Sequence, residues 1–216
     1  LNTTGGDFTA NLGMEFRDAL VLDGTTDLRS DGLAGSDIFF DGAITGAEVL
    51  TLNTGALGST TFSGDVAIGA LTVTGALDID GTRTVAATAA IFNDTISGDD
   101  LTLTGNTVLF NGNVVNLNSI DVNAIASTTI AAGIDFTTTD DITFQSALTV
   151  NGATTLESLN GTIDFKSTVG GAAADLILNS LTGGVIFSGD VLTINSLDVS
   201  GDTTINTASI TATNDI

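Results

Sequence analysis

The chain contains no cysteine, histidine, proline, tryptophan or tyrosine. Each absence removes a class of chemistry. Without cysteine there is no disulfide framework and no thiolate nucleophile, and without histidine no Ser–His or Cys–His relay can be assembled. Phenylalanine is the sole aromatic, so no indole or phenol is present to stack on a sugar and hydrogen-bond it at once. Positive charge is nearly missing as well: Arg17, Arg29, Arg83 and Lys166 stand against 26 acidic residues, for a net charge of −22. That balance excludes the phosphate contacts on which DNA and RNA binding depend and repels an anionic membrane surface. The sole lysine lies in "DFKST", outside any glycine-rich phosphate loop. No run reaches the roughly 18 apolar residues of a spanning helix, so no membrane insertion is expected. Glutamate occurs only at Glu15, Glu48 and Glu157, which leaves few charged helix formers. The chain opens on Leu1 rather than methionine, which reads as a segment cut from something longer.

What remains is 216 residues with 42% hydrophobic content, a mean hydropathy of +0.40 and 26 glycines. This is apolar enough to build a core, unlike a disordered acidic chain. Isoleucine, leucine, valine and threonine favour strands, while glycine, asparagine and aspartate supply turns. The class is all-β.

One five-residue string occurs twice, "FSGDV" at Phe62 and at Phe187. It belongs to a wider pattern, a phenylalanine followed four residues later by an aliphatic residue, with Gly, Asp or Ser between them at plus two. The pattern occurs at Phe16, Phe40, Phe62, Phe92, Phe110, Phe144, Phe165 and Phe187, at successive spacings of 24, 22, 30, 18, 34, 21 and 22 residues. Two residues before the ring stands Met14, Ile38, Val108, Ile142, Ile163 or Val185, with Thr60 and Ala90 as exceptions. The two-residue period points both inward, the small residue bends the backbone, and the aliphatic points inward again. Between these corners lie further alternating runs such as "LTVTGALDIDG" from Leu71 and "LTLTG" from Leu101. A repeat this short cannot bury its own apolar face, so it stacks on its neighbours. The expectation is a parallel β-helix, or β-solenoid, of about nine coils of roughly 22 residues and on the order of 45 Å tall, with the eight rings as one internal ladder. Residues 37–216 form the repeats, and residues 1–36 form an atypical N-terminal cap or assembly segment. An antiparallel β-sandwich stays open as the alternative, since short strands and frequent turns describe it too.

The strings "TFSGDVAIGALTVTGALDIDGT" and "LTLTGNTVLFNGNVVNL" resemble the β-strand repeat regions of very large bacterial surface proteins, the filamentous-haemagglutinin-like and autotransporter-type adhesins. The resemblance spans about Asp37 to the C-terminus. It implies an extracellular, cell-surface right-handed β-helix serving as a stalk, fibre or adhesive shaft. It carries over no catalytic residue, and the long N-terminal secretion domain usual in that family is missing.

Acidic clusters are the remaining chemistry. Asp78 and Asp80 in "LDIDG", and Asp23, Asp27 and Asp31 in "DGTTDLRSD", are candidate oxygen ligands for Ca2+, although none matches an EF-hand loop. The simpler assignment places each aspartate at a turn, capping backbone groups. A β-helix enzyme or carbohydrate-binding module acting on polysaccharide is the main rival function, with paired carboxylates as acid and base. An ice-binding solenoid is a third class, resting on Thr72 and Thr74, Thr102 and Thr104, and Thr211 and Thr213. Asn93 and Asn160 fit glycosylation sequons. The expected function is non-enzymatic: a structural segment of a surface fibre or adhesin shaft, self-associating end to end, with a surface glycan or receptor as the further partner.

Overall fold

The computed structural model describes residues 1–30, 35–171, 174–206 and 209–216. Its strands wind as a β-solenoid of about ten turns in which successive turns pair in parallel. Each turn runs along three faces. Asp37–Phe40 lies on a first face, Ile44–Gly46 on a second and Val49–Asn53 on a third. One turn later Ser59–Phe62 repeats the first face, and Val66–Thr74 covers the second and third without a break. Val114–Ile130 carries strand hydrogen bonding around all three. Asn2–Thr3, Gly6–Ala10 and Gly13–Phe16 pair in parallel with strands one turn later, so residues 1–30 already follow the solenoid register.

The alternation of the sequence places the core. Ile38 and Phe40 are buried while Phe39 between them faces solvent, as a two-residue period requires. Eight phenylalanines are fully buried, Phe136 among them, and leucine, isoleucine and valine fill the rest of the bore. Each buried ring contributes about 2–3 kcal/mol relative to exposure. Because each turn contacts only the turns beside it, that gain accumulates along the axis.

The rings do not form a single ladder. Phe16, Phe40 and Phe62 register along the first face. Phe92 registers with Val73 and Phe110 with Ile130, on the third. Phe144, Phe165 and Phe187 register with one another and with Val122, on the second. Phe136 registers with Val114 and Leu156 on the first face, beside the column of Phe62, with its centroid 5.0 Å from that of Phe110 and 6.1 Å from that of Phe144. The cause is volume: the bore has room for about one large ring per turn at close packing, and which face supplies it is a local matter. After Leu117, Thr138, Ser158 and Ser180 continue the interior column that Phe16, Phe40 and Phe62 begin. Their hydroxyls satisfy the corner backbone: Ser158 Oγ donates to Asp140 O at 2.7 Å, and Ser180 Oγ accepts from Gly184 N–H at 2.6 Å.

This also corrects the coil length. Register neighbours down the first face, from Phe16 through Phe62, Ile79 and Leu117 to Ser180, stand 17 to 24 residues apart. Within the interval from Phe110 to Phe144, Val114–Ile130 makes a full turn without a phenylalanine. Across both long intervals, Phe62 to Phe92 and Phe110 to Phe144, the ring moves on by two faces, from the first to the third and from the third to the second, which inflates the apparent period of a solenoid of about ten turns.

The two "FSGDV" strings occupy different corners. Val66 registers with Ile44 on the second face, so the first string turns the first face into the second. Val191 registers with Val169, so the second string turns the second face into the third. At both the backbones of adjacent turns nearly touch. A Cβ on Gly64 would lie 2.4 Å from the Gly42 carbonyl carbon, and one on Gly189 would lie 2.1 Å from that of Ser167.

Candidate functional site

The acidic side chains concentrate at the corners, where many act within the fold. Oδ1 of Asp37 accepts from Ser59 N–H at 2.7 Å, that of Asp65 from Thr84 at 2.9 Å, and that of Asp135 from Thr155 at 2.7 Å. Asp141 and Asp190 do the same for Thr162 and Ser209, at 2.7 and 3.0 Å. In every case the donor lies 19 to 22 residues later, one turn along. The carboxylate thus satisfies an N–H where the corner interrupts the strand ladder. Asp100 receives the Ser119 hydroxyl at 2.7 Å, the Asn118 amide at 2.6 Å and the Thr82 hydroxyl at 3.1 Å. These donors, Ser119 foremost, hold its carboxyl below the usual carboxylate range. Asp175 is lowered in the same way by Ser196 and then Asn195. At the corner from the third face to the first, Asn111 Nδ2 donates to Asn93 Oδ1 at 2.9 Å, and Asn93 Nδ2 to Thr74 Oγ1 at 3.2 Å. The Asn93 sequon therefore spends its amide on an inter-turn ladder. The Asn160 side chain is exposed.

The calcium candidates divide between two places. Asp23 and Asp27 belong to the second turn; Asp27 is engaged by Arg29 in an ion pair. Asp31 lies outside the described residues. Asp78 and Asp80 stand two turns further on, and Asp80 Oδ2 accepts the Ser63 hydroxyl at 2.8 Å. Burial, then the charges of Asp80 and Asp99, push the Asp78 carboxyl above its ordinary value, opposed by the Ser97 hydroxyl. Among the described residues no group of three or more acidic side chains is arranged to hold a metal ion, and no helix is long and apolar enough to cross a membrane. Lys166 pairs with Asp164 in its own turn. The threonine pairs do not align as one array: Thr72 registers with Ile91 on the third face, and Thr102 with Asp121 on the second.

The feature that sequence inspection missed is where charge is absent. The stretches that turn onto and cross the third face in five successive turns are 67–74, 86–92, 104–110, 123–130 and 145–150, and not one carries an ionisable side chain. On a chain of net charge −22 this leaves one flat side neutral, while the acids line the other corners. Its outward side chains are small or aliphatic, with Ile91 and Leu109 side by side in register. Along the corner leading onto this face runs a shallow groove of about 700 Å3 lined mainly by alanine and glycine, with Ile125 at its rim 83% exposed. The signal was present in the sequence as an uneven spacing of acids, but only the register reveals that the gaps share one side.

Compared with known proteins, the chain matches no family model, no curated protein and no solved structure.

Proposed function

We propose that this chain is a non-enzymatic structural segment, a β-solenoid shaft of an extracellular, cell-surface fibre or adhesin. The observation that carries this reading is how the polar groups are used. Carboxylates at five corners cap backbone N–H groups one turn along, and asparagines link turns at another corner, so much of the available oxygen and amide chemistry is spent on axial cohesion. A filled bore and a charged exterior suit a stiff element held in water. Within such a fibre, segments join end to end by extending the parallel pairing that already links each turn to the next.

Negative-stain electron microscopy of the purified protein tests this. Straight rods, about 48 Å long for ten turns at roughly 4.8 Å each or multiples of that length, are expected, together with no product release from a panel of glycans. Release of oligosaccharide from any member of the panel would overturn the assignment.

A further inference from the structure

We infer that the neutral third face is a lateral docking surface for a second copy of this chain, the two solenoids lying face to face and antiparallel. This rests on the charge map and the register, independently of the role proposed above.

Two copies of net charge −22 repel wherever acids meet. Across five consecutive turns the third face places no ionisable group between them. That neutral span is bounded by two charges of opposite sign at the same corner, Glu48 two residues before Leu50 and Lys166 three residues before Val169, Leu50 and Val169 sharing one register column. Glu48 sits at the corner between the second and third faces one turn before the span, and Lys166 sits at the same corner one turn after it. The turn midway between them carries Thr107 and Leu109 facing outward. A twofold axis running along that middle strand maps the Glu48 turn onto the Lys166 turn and keeps the corner on the same side. Glu48 of each copy then meets Lys166 of the other, twice. The Lys166 ammonium, although paired with Asp164, has further N–H donors for this contact. In a parallel arrangement Glu48 would not meet Lys166, so the bounding charges select the antiparallel one.

The dimensions suit a real but modest contact. Seven turns at about 4.8 Å by five residues at about 3.3 Å give roughly 550 Å2 per copy, on the order of 1,100 Å2 in all, at the lower limit for a specific pair. The small outward side chains, Ala70, Ala89 and Ser127 among them, let two sheets approach closely, and Ile91 and Leu109 supply the apolar centre. The residual repulsion is between distant exposed acids, so salt screens it and strengthens the pair.

The absence of native cysteine makes the test direct. Sedimentation of the full chain over a concentration series is expected to show a reversible monomer–dimer equilibrium, tighter at high salt. Thr107→Cys, next to the axis, is expected to cross-link through a short thiol-reactive linker, while Thr51→Cys, about 29 Å from its mate in this register, does not. Glu48→Lys should weaken dimerisation at least fivefold, and adding Lys166→Glu should restore it, with circular dichroism melts confirming that each variant folds. A chain that stays monomeric at all concentrations overturns the proposal. So does cross-linking of Thr51→Cys as efficient as that of Thr107→Cys, or a charge swap that restores nothing in folded protein.

Discussion

Asp65 and Asp190 stand at different corners of the solenoid, yet each accepts a hydrogen bond from the backbone N–H of the residue 19 positions later, at 2.9 and 3.0 Å. The corner is thus a transferable module, a phenylalanine, a close-packed glycine and a capping aspartate, usable wherever the chain must turn. Its parts lend themselves to separate tests.

Gly64 and Gly189 are the close-approach points of the two copies of the module. Alanine at either would drive a methyl group into the backbone of the turn below, at 2.4 and 2.1 Å. Gly64→Ala and Gly189→Ala are expected to destabilise by similar amounts, each by more than the roughly 1 kcal/mol that alanine ordinarily gains over glycine. Equal or higher Tm in either variant would show that the corners are not tightly apposed.

Phe165 stacks on Phe144 and Phe187, with centroids 5.8 and 5.3 Å away. Phe165→Ala should cost about 3–5 kcal/mol. Because turns contact only their neighbours, the loss should be local. Hydrogen exchange is expected to accelerate at residues around Phe144, Phe165 and Phe187 and to stay slow around Phe40. Uniform acceleration would mean that the solenoid unfolds as one cooperative unit.

Thr193 holds a φ of 58°, where a β-branched side chain is strained, beside a register irregularity between Val191 and Ile194. Asparagine tolerates that region. Thr193→Asn is expected to stabilise by about 1 kcal/mol, read as a higher midpoint in urea unfolding. No gain would mean that the hydroxyl or methyl offsets the strain.

Asp78 and Asp100 respond to pH in opposite senses. Donors from Ser119, Asn118 and Thr82 lower the Asp100 pKa in the folded state. Its stabilising contribution is therefore complete above the unfolded value of about 3.9 and is lost as pH falls through the folded one. The Asp78 pKa is raised by burial and by Asp80 and Asp99, so its favourable contribution exists below the unfolded value and disappears as pH rises through the folded one. Asp100→Asn should lower Tm at pH 7 and converge with the parent at strongly acidic pH. Asp78→Asn should raise Tm at pH 7 and lose that advantage below about pH 4. Shifts of the same sign in both variants would contradict these environments.

Much of the fold was legible in local pattern. Ile38, Phe39 and Phe40 show why: a two-residue alternation declares which side chains face the bore, and the recurring corner declares that the strands wind. Phe136 escaped the corner pattern because Asp140, not an aliphatic residue, stands four positions on. It is nonetheless fully buried in the same aromatic run. Of the aspartates proposed as metal ligands, Asp27 and Asp80 are engaged by protein donors, a use visible only once a donor from the same or a neighbouring turn is in place.

By itself the sequence determined the all-β class, the inward residues and the absence of thiol chemistry, and pointed to parallel winding, because all of these depend on composition and on intervals of a few residues. Only the tertiary structure decided which face each phenylalanine lines, the true length of a turn, and that five uncharged stretches lie on one side. Those properties depend on register between segments about twenty residues apart. A turn that gains or loses a residue or two at a corner shifts every later position around the axis without altering any local motif.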